Sequence, residues 1–305
     1  MAVIGYAQVP PAAVQQFQEA IGNRVEAVTI LGGDYSAAGG IYSFRGGTLS
    51  NVSLTKVGGG GNIAAVRLLG ETSLKWAPVI LGNLGFISAK NEFQNGYLQG
   101  NEMKYEMLAA QLGGGARLYF TDHLSMASTI SAIYGHVKNE FQANNATGNA
   151  VKAAASGTFV DWSLDTWSVV PSLDGRYEWF WGRTLFELTT HYTFFHTESF
   201  RSTSVAVDVE GNSQTWENKL GMDVPLGLKV FDRELHTGGF FSRTELFGGV
   251  ADGLNENHVY TLNGRLVLDY LDKLWKVRWI GLGISWFWGD HVDGWTAGVD
   301  MTFQF

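Results

Sequence analysis

Trp295-Thr296-Ala297-Gly298-Val299-Asp300-Met301-Thr302-Phe303-Gln304-Phe305 alternates without a slip. In an extended chain, Trp295, Ala297, Val299, Met301, Phe303 and Phe305 share one face, and Thr296, Gly298, Asp300, Thr302 and Gln304 share the other. The same period of two governs Trp216 to Val230, a run about twice the usual strand length. There Trp216, Leu220, Met222, Val224, Leu226, Leu228 and Val230 oppose Glu217, Lys219, Asp223 and Lys229, with Asn218 interrupting the apolar face near one end.

Further runs obey the rule. Trp167, Val169, Leu173, Tyr177 and Trp179 oppose Ser168, Ser172, Asp174, Arg176 and Glu178. Phe186, Leu188, Tyr192 and Phe194 oppose Glu187, Thr189, His191 and Thr193. Toward the N-terminus the pattern weakens, and Thr48 to Val57 has no clear face. Strands are expected near 48–57, 63–75, 79–90, 103–120, 123–138, 165–180, 183–198, 214–230, 236–250, 257–271, 277–289 and 294–305. That is about twelve, an even number that suits a single-chain bacterial barrel. Gly40 to Arg45 is read as a link, because counting it would make the number odd, and Gly58 to Gly61 as a flexible external turn.

Alternation alone also fits a water-soluble sandwich. Three features decide for a membrane. Connections alternate between short (Thr121-Asp122, Phe180 to Gly182, Phe231 to Leu235) and long (Asn91 to Glu102, Asn139 to Leu164, Ser199 to Ser213), as periplasmic turns and external loops do. Trp76, Trp179, Trp181, Trp275 and Trp279 fall at the short-turn end, and Trp167, Trp216, Trp286, Trp288 and Trp295 at the other. Two rims of indole form the aromatic girdles of such barrels. Charges recur on the second face, where a dry core would not tolerate them but a hydrated lumen would.

Composition agrees. The chain has 305 residues, 39 glycines, 5 prolines, 16% charged residues, no cysteine and a net charge of -8. Many glycines and aromatics with few charges favour strands. Without cysteine there are no disulfides or thiolate metal sites, and the acidic balance argues against nucleic-acid partners. No apolar run approaches the ~18 residues of a spanning helix. Met1 to Ala7 is too short for a leader, so a mature form with an added Met1 is expected.

One segment differs. Val14, Phe17, Ile21, Val25 and Val28 recur every three or four residues after Pro10-Pro11, and Gly32-Gly33 follow. This predicts an amphipathic helix across residues 10–31. Two domains are expected: 1–47, helix and link, and 48–305, the barrel.

The ending Val299 to Phe305 resembles the C-terminal signal of outer-membrane barrels, and the whole layout resembles the translocator domain of autotransporters. Val25 to Gly46, with Leu31-Gly32-Gly33-Asp34-Tyr35 and Gly39-Gly40-Ile41-Tyr42-Ser43-Phe44, is most similar to solitary autotransporter-like barrels. The resemblance implies a bacterial outer-membrane location and a helix inside the pore. With so little chain ahead of the helix, no secreted passenger is expected.

The expected fold is therefore all-β, a closed antiparallel transmembrane barrel of about twelve strands with an N-terminal helix in the lumen. The expected function is a channel or transport-type pore, plugged or gated by that helix. Lumen-lining cations are Arg67, Arg117, Arg176, Lys219, Arg243 and Arg265; lumen-lining acids are Glu178, Glu187, Asp223, Glu245 and Asp300. On the helix, Glu19, Arg24 and Glu26 would meet the charged wall, Arg24 seeking an acid and the glutamates a base. The apolar stripe argues for two other seats, the less charged wall of the early strands or the membrane surface. Expected partners are membrane lipids, lipopolysaccharide and the barrel-assembly machinery, the last through the strand ending at Phe305. A monomer without cofactor, metal or catalytic residues is expected. The rival readings are a structural or surface-binding barrel without flux, and a rim hydrolase using His196, His258 or His291. His291 between Asp290 and Asp293 also has the ingredients of a metal site, against the plainer reading of a polar hairpin tip.

Overall fold

The computed structural model describes residues 23–31, 40–44, 50–62, 67–70, 73–93, 98–204, 206–269 and 277–303. Its strands are β1 (Gly40–Phe44), β2 (Ser50–Asn62), β3 (Arg67–Leu68), β4 (Lys75–Glu92), β5 (Glu102–Tyr119), β6 (Leu124–Gln142) and β7 (Ser163–Trp181). They continue with β8 (Thr184–Ser202), β9 (Glu210–Val230), β10 (Arg233–Gly248), β11 (His258–Asp269), β12 (Val277–Trp288) and β13 (Val292–Phe303). Residues 23–31 form α1; α2 (Ala146–Ala155) and α3 (Gly249–Leu254) lie in long connections.

All thirteen strands belong to one sheet, in which β4 to β13 follow one another in chain order. Every pairing between them is antiparallel. β1 pairs with β13, Ile41 opposite Trp295, and with β2, Ile41 opposite Ser53. β2 pairs with β4 from Ser50 opposite Lys90 to Asn62 opposite Val79. At the short-turn end, β9 turns into β10 through Phe231 and Asp232, both at positive φ (52° and 60°). A two-residue turn with both centres left-handed matches the twist of its strands.

The N-terminal third departs from expectation. Gly40 to Phe44 is no link but β1, hydrogen-bonded on both sides. Of the expected strand 63–75, residues 63–66 and 71–72 lie outside the described residues; among the rest, Arg67 and Leu68 form β3, which pairs with Trp76 and Lys75 of β4. β2 and β3 thus share one long partner. Gly58 to Gly61, expected as a turn, lie inside β2 opposite Asn83 to Ile80. Glycine is a poor strand former by itself, but the β4 ladder satisfies its backbone and holds it extended.

Side chains are arranged inside out relative to a soluble protein. Leu112 is 73% exposed, Leu282 68% and Ile130 60%, while Ser168, Thr197 and Ser242 are fully shielded. In β6 exposed and shielded residues alternate through most of its length, and toward the short-turn end exposed Leu124, Met126 and Ile130 stand against shielded Ser125 and Ser131. Only a surrounding hydrocarbon makes that arrangement favourable. At the girdle heights rings stack: Tyr177 on Trp179 on Phe186 at 5.8 and 5.3 Å, and Phe241 on Tyr260 on Trp288 at 6.0 and 5.8 Å. Trp162 leaves this pattern; it is buried beneath its loop, edge-on to Tyr105.

Candidate functional site

The helix seat comes first. Val25, Glu26, Ala27, Val28, Thr29 and Ile30 of α1 are all buried. The apolar members join a cluster with inner-face Ile87 of β4, Met107 and Ala109 of β5, Ile133 and Val137 of β6, and Phe195 of β8. The apolar stripe therefore meets an apolar collar on these strands. Thr29 lies 3.4 Å from the hydroxyl of Thr166 in β7. Residues 1–22, including Glu19 and the first part of the expected helix, lie outside the described residues.

Glu26 carries the polar side of the seat. Its Oε1 accepts a hydrogen bond from Ser213 Oγ of β9 at 2.7 Å, and that hydroxyl accepts from the Val250 backbone N–H of α3 at 2.8 Å. A Cβ at Gly211 or Gly249 would fall 2.2 or 2.1 Å from Oε2, so glycine at both positions lets the carboxylate in. The expected base is replaced by a hydroxyl. Burial raises the Glu26 pKa above its ordinary 4.5; the Ser213 bond and the charge of His196 oppose this, and Asp252 reinforces it. Ser213, Thr166 and α3 carry no local sequence signal, since each matters only through what the fold sets against it.

Below the seat the inner wall is charged. Arg117 pairs with Asp174, and Arg176 bridges Glu178 and Glu187. Asp223 Oδ1 lies 2.6 Å from His236 Nδ1, and Lys219 Nζ stands 5.4 Å from the centre of the Phe240 ring. Arg265 shares the inner parity through its pairing with Gly238, and the backbone of Asp300 pairs with Gly281 of β12.

Two expected lumen residues do not belong there. Arg243 and Glu245 alternate with buried Ser242 and Leu246 and so face outward. They form an ion pair at 2.7 Å, and the Arg243 guanidinium lies 5.5 Å from the Tyr260 ring centre. Near the long-loop end the outer face has left the hydrocarbon, and an arginine over an aromatic ring suits the headgroup level. Arg67 pairs with Trp76 of β4. Long strands project beyond the lipid, and there the outer face carries charge as well as the inner one.

The rim histidines separate. His196 engages Asn212 through Nδ1 and Glu198 through Nε2, both at 2.9 Å. His258 opens β11. His291 contributes its backbone N–H to Glu256 at 2.7 Å.

Strands with lipid-facing apolar side chains, girdled ends and a polar inner face define an outer-membrane β-barrel. Comparison with known proteins narrows this. Residues 66–298 match the profile of the solitary outer membrane autotransporter beta-barrel domain, and the chain belongs to that family. Among solved structures, it is similar to the beta domain of the Bordetella autotransporter BrkA (TM-score 0.60, 11% identity, covering 88% of this chain and 96% of that one). It is also similar to the transport unit of the autotransporter AIDA-I from Escherichia coli (TM-score 0.59, 9% identity, covering 93% and 99%). These likenesses establish the fold. No curated protein matches the chain by sequence.

Proposed function

We propose that this protein is a channel-type barrel closed by twelve strands and plugged from within by α1. Closure is supported by β1, which pairs with both β13 and β2, and by β2, which returns to β4. Counting β2 and β3 as one broken strand along β4 brings the thirteen to twelve. A barrel of that size lies between the filled eight-strand kind and the open sixteen-strand kind, leaving room for one helix ~10 Å across. The observation that carries the reading is the complete burial of Glu26 and Thr29 against inner-face groups of β9 and β7.

Paired charges such as Arg117–Asp174 and Arg176–Glu187 would line the path and select permeants by charge. Outward Lys138, Arg201 and Arg243 stand at the long-loop end, a height that suits the phosphates of lipopolysaccharide. Engagement of the assembly machinery by the last strand and a monomeric state complete the proposal. The reading is non-catalytic. It is favoured over a rim hydrolase because the ring nitrogens of His196 engage Asn212 and Glu198, neither of them a hydroxyl that the imidazole could activate. Deletion of residues 1–31 followed by planar-bilayer recording is the test. A plug predicts a clear rise in conductance from a barrel that still folds. Unchanged conductance from a folded deletion variant refutes the plug and favours a structural barrel without flux.

A further inference from the structure

We propose that Glu256, His258 and Asp290 form a site for a divalent cation of the zinc or manganese kind at the long-loop end of the barrel. One ligand atom from each lies within 4.8 Å of the others. They come from two separate connections. Asn255 ends α3 in the left-handed conformation (φ 54°), and Glu256 N–H then donates to the Ala251 carbonyl at 3.0 Å. His258 begins β11. Asp290 sits in the β12–β13 turn, which Gly289 N–H closes onto the Val292 carbonyl at 2.7 Å.

Glu256 is the reason to read this as a site and not as a polar hairpin tip. It is only 3% exposed. Its Oε2 accepts the His291 N–H, but its Oε1 is shielded from solvent without a hydrogen-bond partner among the described residues. A buried carboxylate oxygen without a partner is costly, and the second carboxylate of Asp290 close by raises that cost by repulsion. A cation between them relieves both. Its approach is built into the turn: a Cβ at position 289 would meet Glu256 Oε2 at 2.5 Å and Cδ at 2.7 Å. Only glycine admits the glutamate there.

The donor set chooses the ion. Two carboxylates and an imidazole suit zinc or manganese better than calcium or magnesium, which take oxygen ligands. Metal–ligand bonds of about 2.0–2.2 Å in a tetrahedral shell put ligands roughly 3.3–3.6 Å apart. Small side-chain rotations close that gap. The bound cation would tie the α3–β11 connection to the β12–β13 turn. Such a site requires neither the plug nor flux.

The test uses the full chain in detergent, stripped with chelator and titrated with zinc sulfate by calorimetry. Asp290→Asn, His258→Gln and His291→Gln are titrated beside it, each first shown to be folded by its gel shift on boiling. The parent and His291→Gln should bind one zinc per chain. Asp290→Asn and His258→Gln should each lose at least about tenfold in affinity, since even outer-shell partners contribute that much. Equal affinity in all four proteins overturns the site. So does loss in His291→Gln alone, or a parent that binds no zinc. Asp290 is exposed in a turn, so its variant decides the matter if His258→Gln fails to fold.

Discussion

Replacing Gly253 by alanine loads the seat of α1 with a single methyl group. The new Cβ would lie 2.3 Å from the Asn23 carbonyl oxygen, 2.7 Å from its carbon and 2.9 Å from the Ala27 Cβ. Ordinary contact begins at 3.4 Å, so the shortfall is 3.4 − 2.3, or about 1.1 Å. The first obstacle is backbone and cannot rotate away. Overpacking of this kind costs about 1–3 kcal/mol. Alanine favours α3 itself, so the strain falls on the docked state. A cost of 1–3 kcal/mol lowers the ratio of docked to undocked helix by roughly 5- to 150-fold. Single-channel recording of the refolded variant should show openings more frequent by that factor, with the fully open conductance unchanged. Gly298→Ala is the control, since nothing lies within 4 Å of its added Cβ. A folded Gly253→Ala protein that opens no more often than its parent or the control would show that α1 does not govern flux.

Glu26→Gln tests the buried acid. A carboxyl whose folded pKa is raised favours the docked helix fully below 4.5, its ordinary value, and that contribution is lost as pH rises through the folded pKa. Openings of the parent should therefore grow more frequent as pH rises above 4.5, and those of Glu26→Gln should not; equal pH profiles refute the assignment. On the lipid face, Leu266→Arg and Leu282→Arg should each destabilise by about 2–4 kcal/mol in reversible urea unfolding, and Leu226→Arg, near the short-turn end, by about 0–1 kcal/mol. Inner-face Lys219→Gln should cost no more than about 1 kcal/mol, the cation–π contact with Phe240 being its main loss; equal costs on both faces would overturn the facing assignment. Without boiling, the protein should run as a compact gel band that shifts on heating, because opening a barrel exposes many backbone groups at once. A soluble monomer purified without detergent contradicts this.

The strands from β4 to β13 and the faces they present were legible because both are local. Period-two alternation needs no knowledge of the partner strand, and hydrocarbon outside forces the apolar set outward over every span. Trp179 and Trp216 mark the two rims for the same reason. Where the lipid ends, the rule ends, and Arg243 and Glu245 were misassigned at that height.

What only the tertiary structure decided rests on pairings between distant parts of the chain. Parity demanded an even count but could not say that Gly40 to Phe44 supplies a strand; Trp295 opposite Ile41 supplies the hydrogen bonds that make the choice. The stripe on α1 announced an apolar contact without naming the collar of Ile87, Met107 and Ile133 that receives it. Glu26 reads as a solvated helix charge until Ser213 and two glycines enclose it. Asp290 draws its neighbours from Glu256 and His258 and not from His291 beside it. Periodicity is a property of consecutive residues, whereas burial of a charge depends on what distant parts of the chain bring against it.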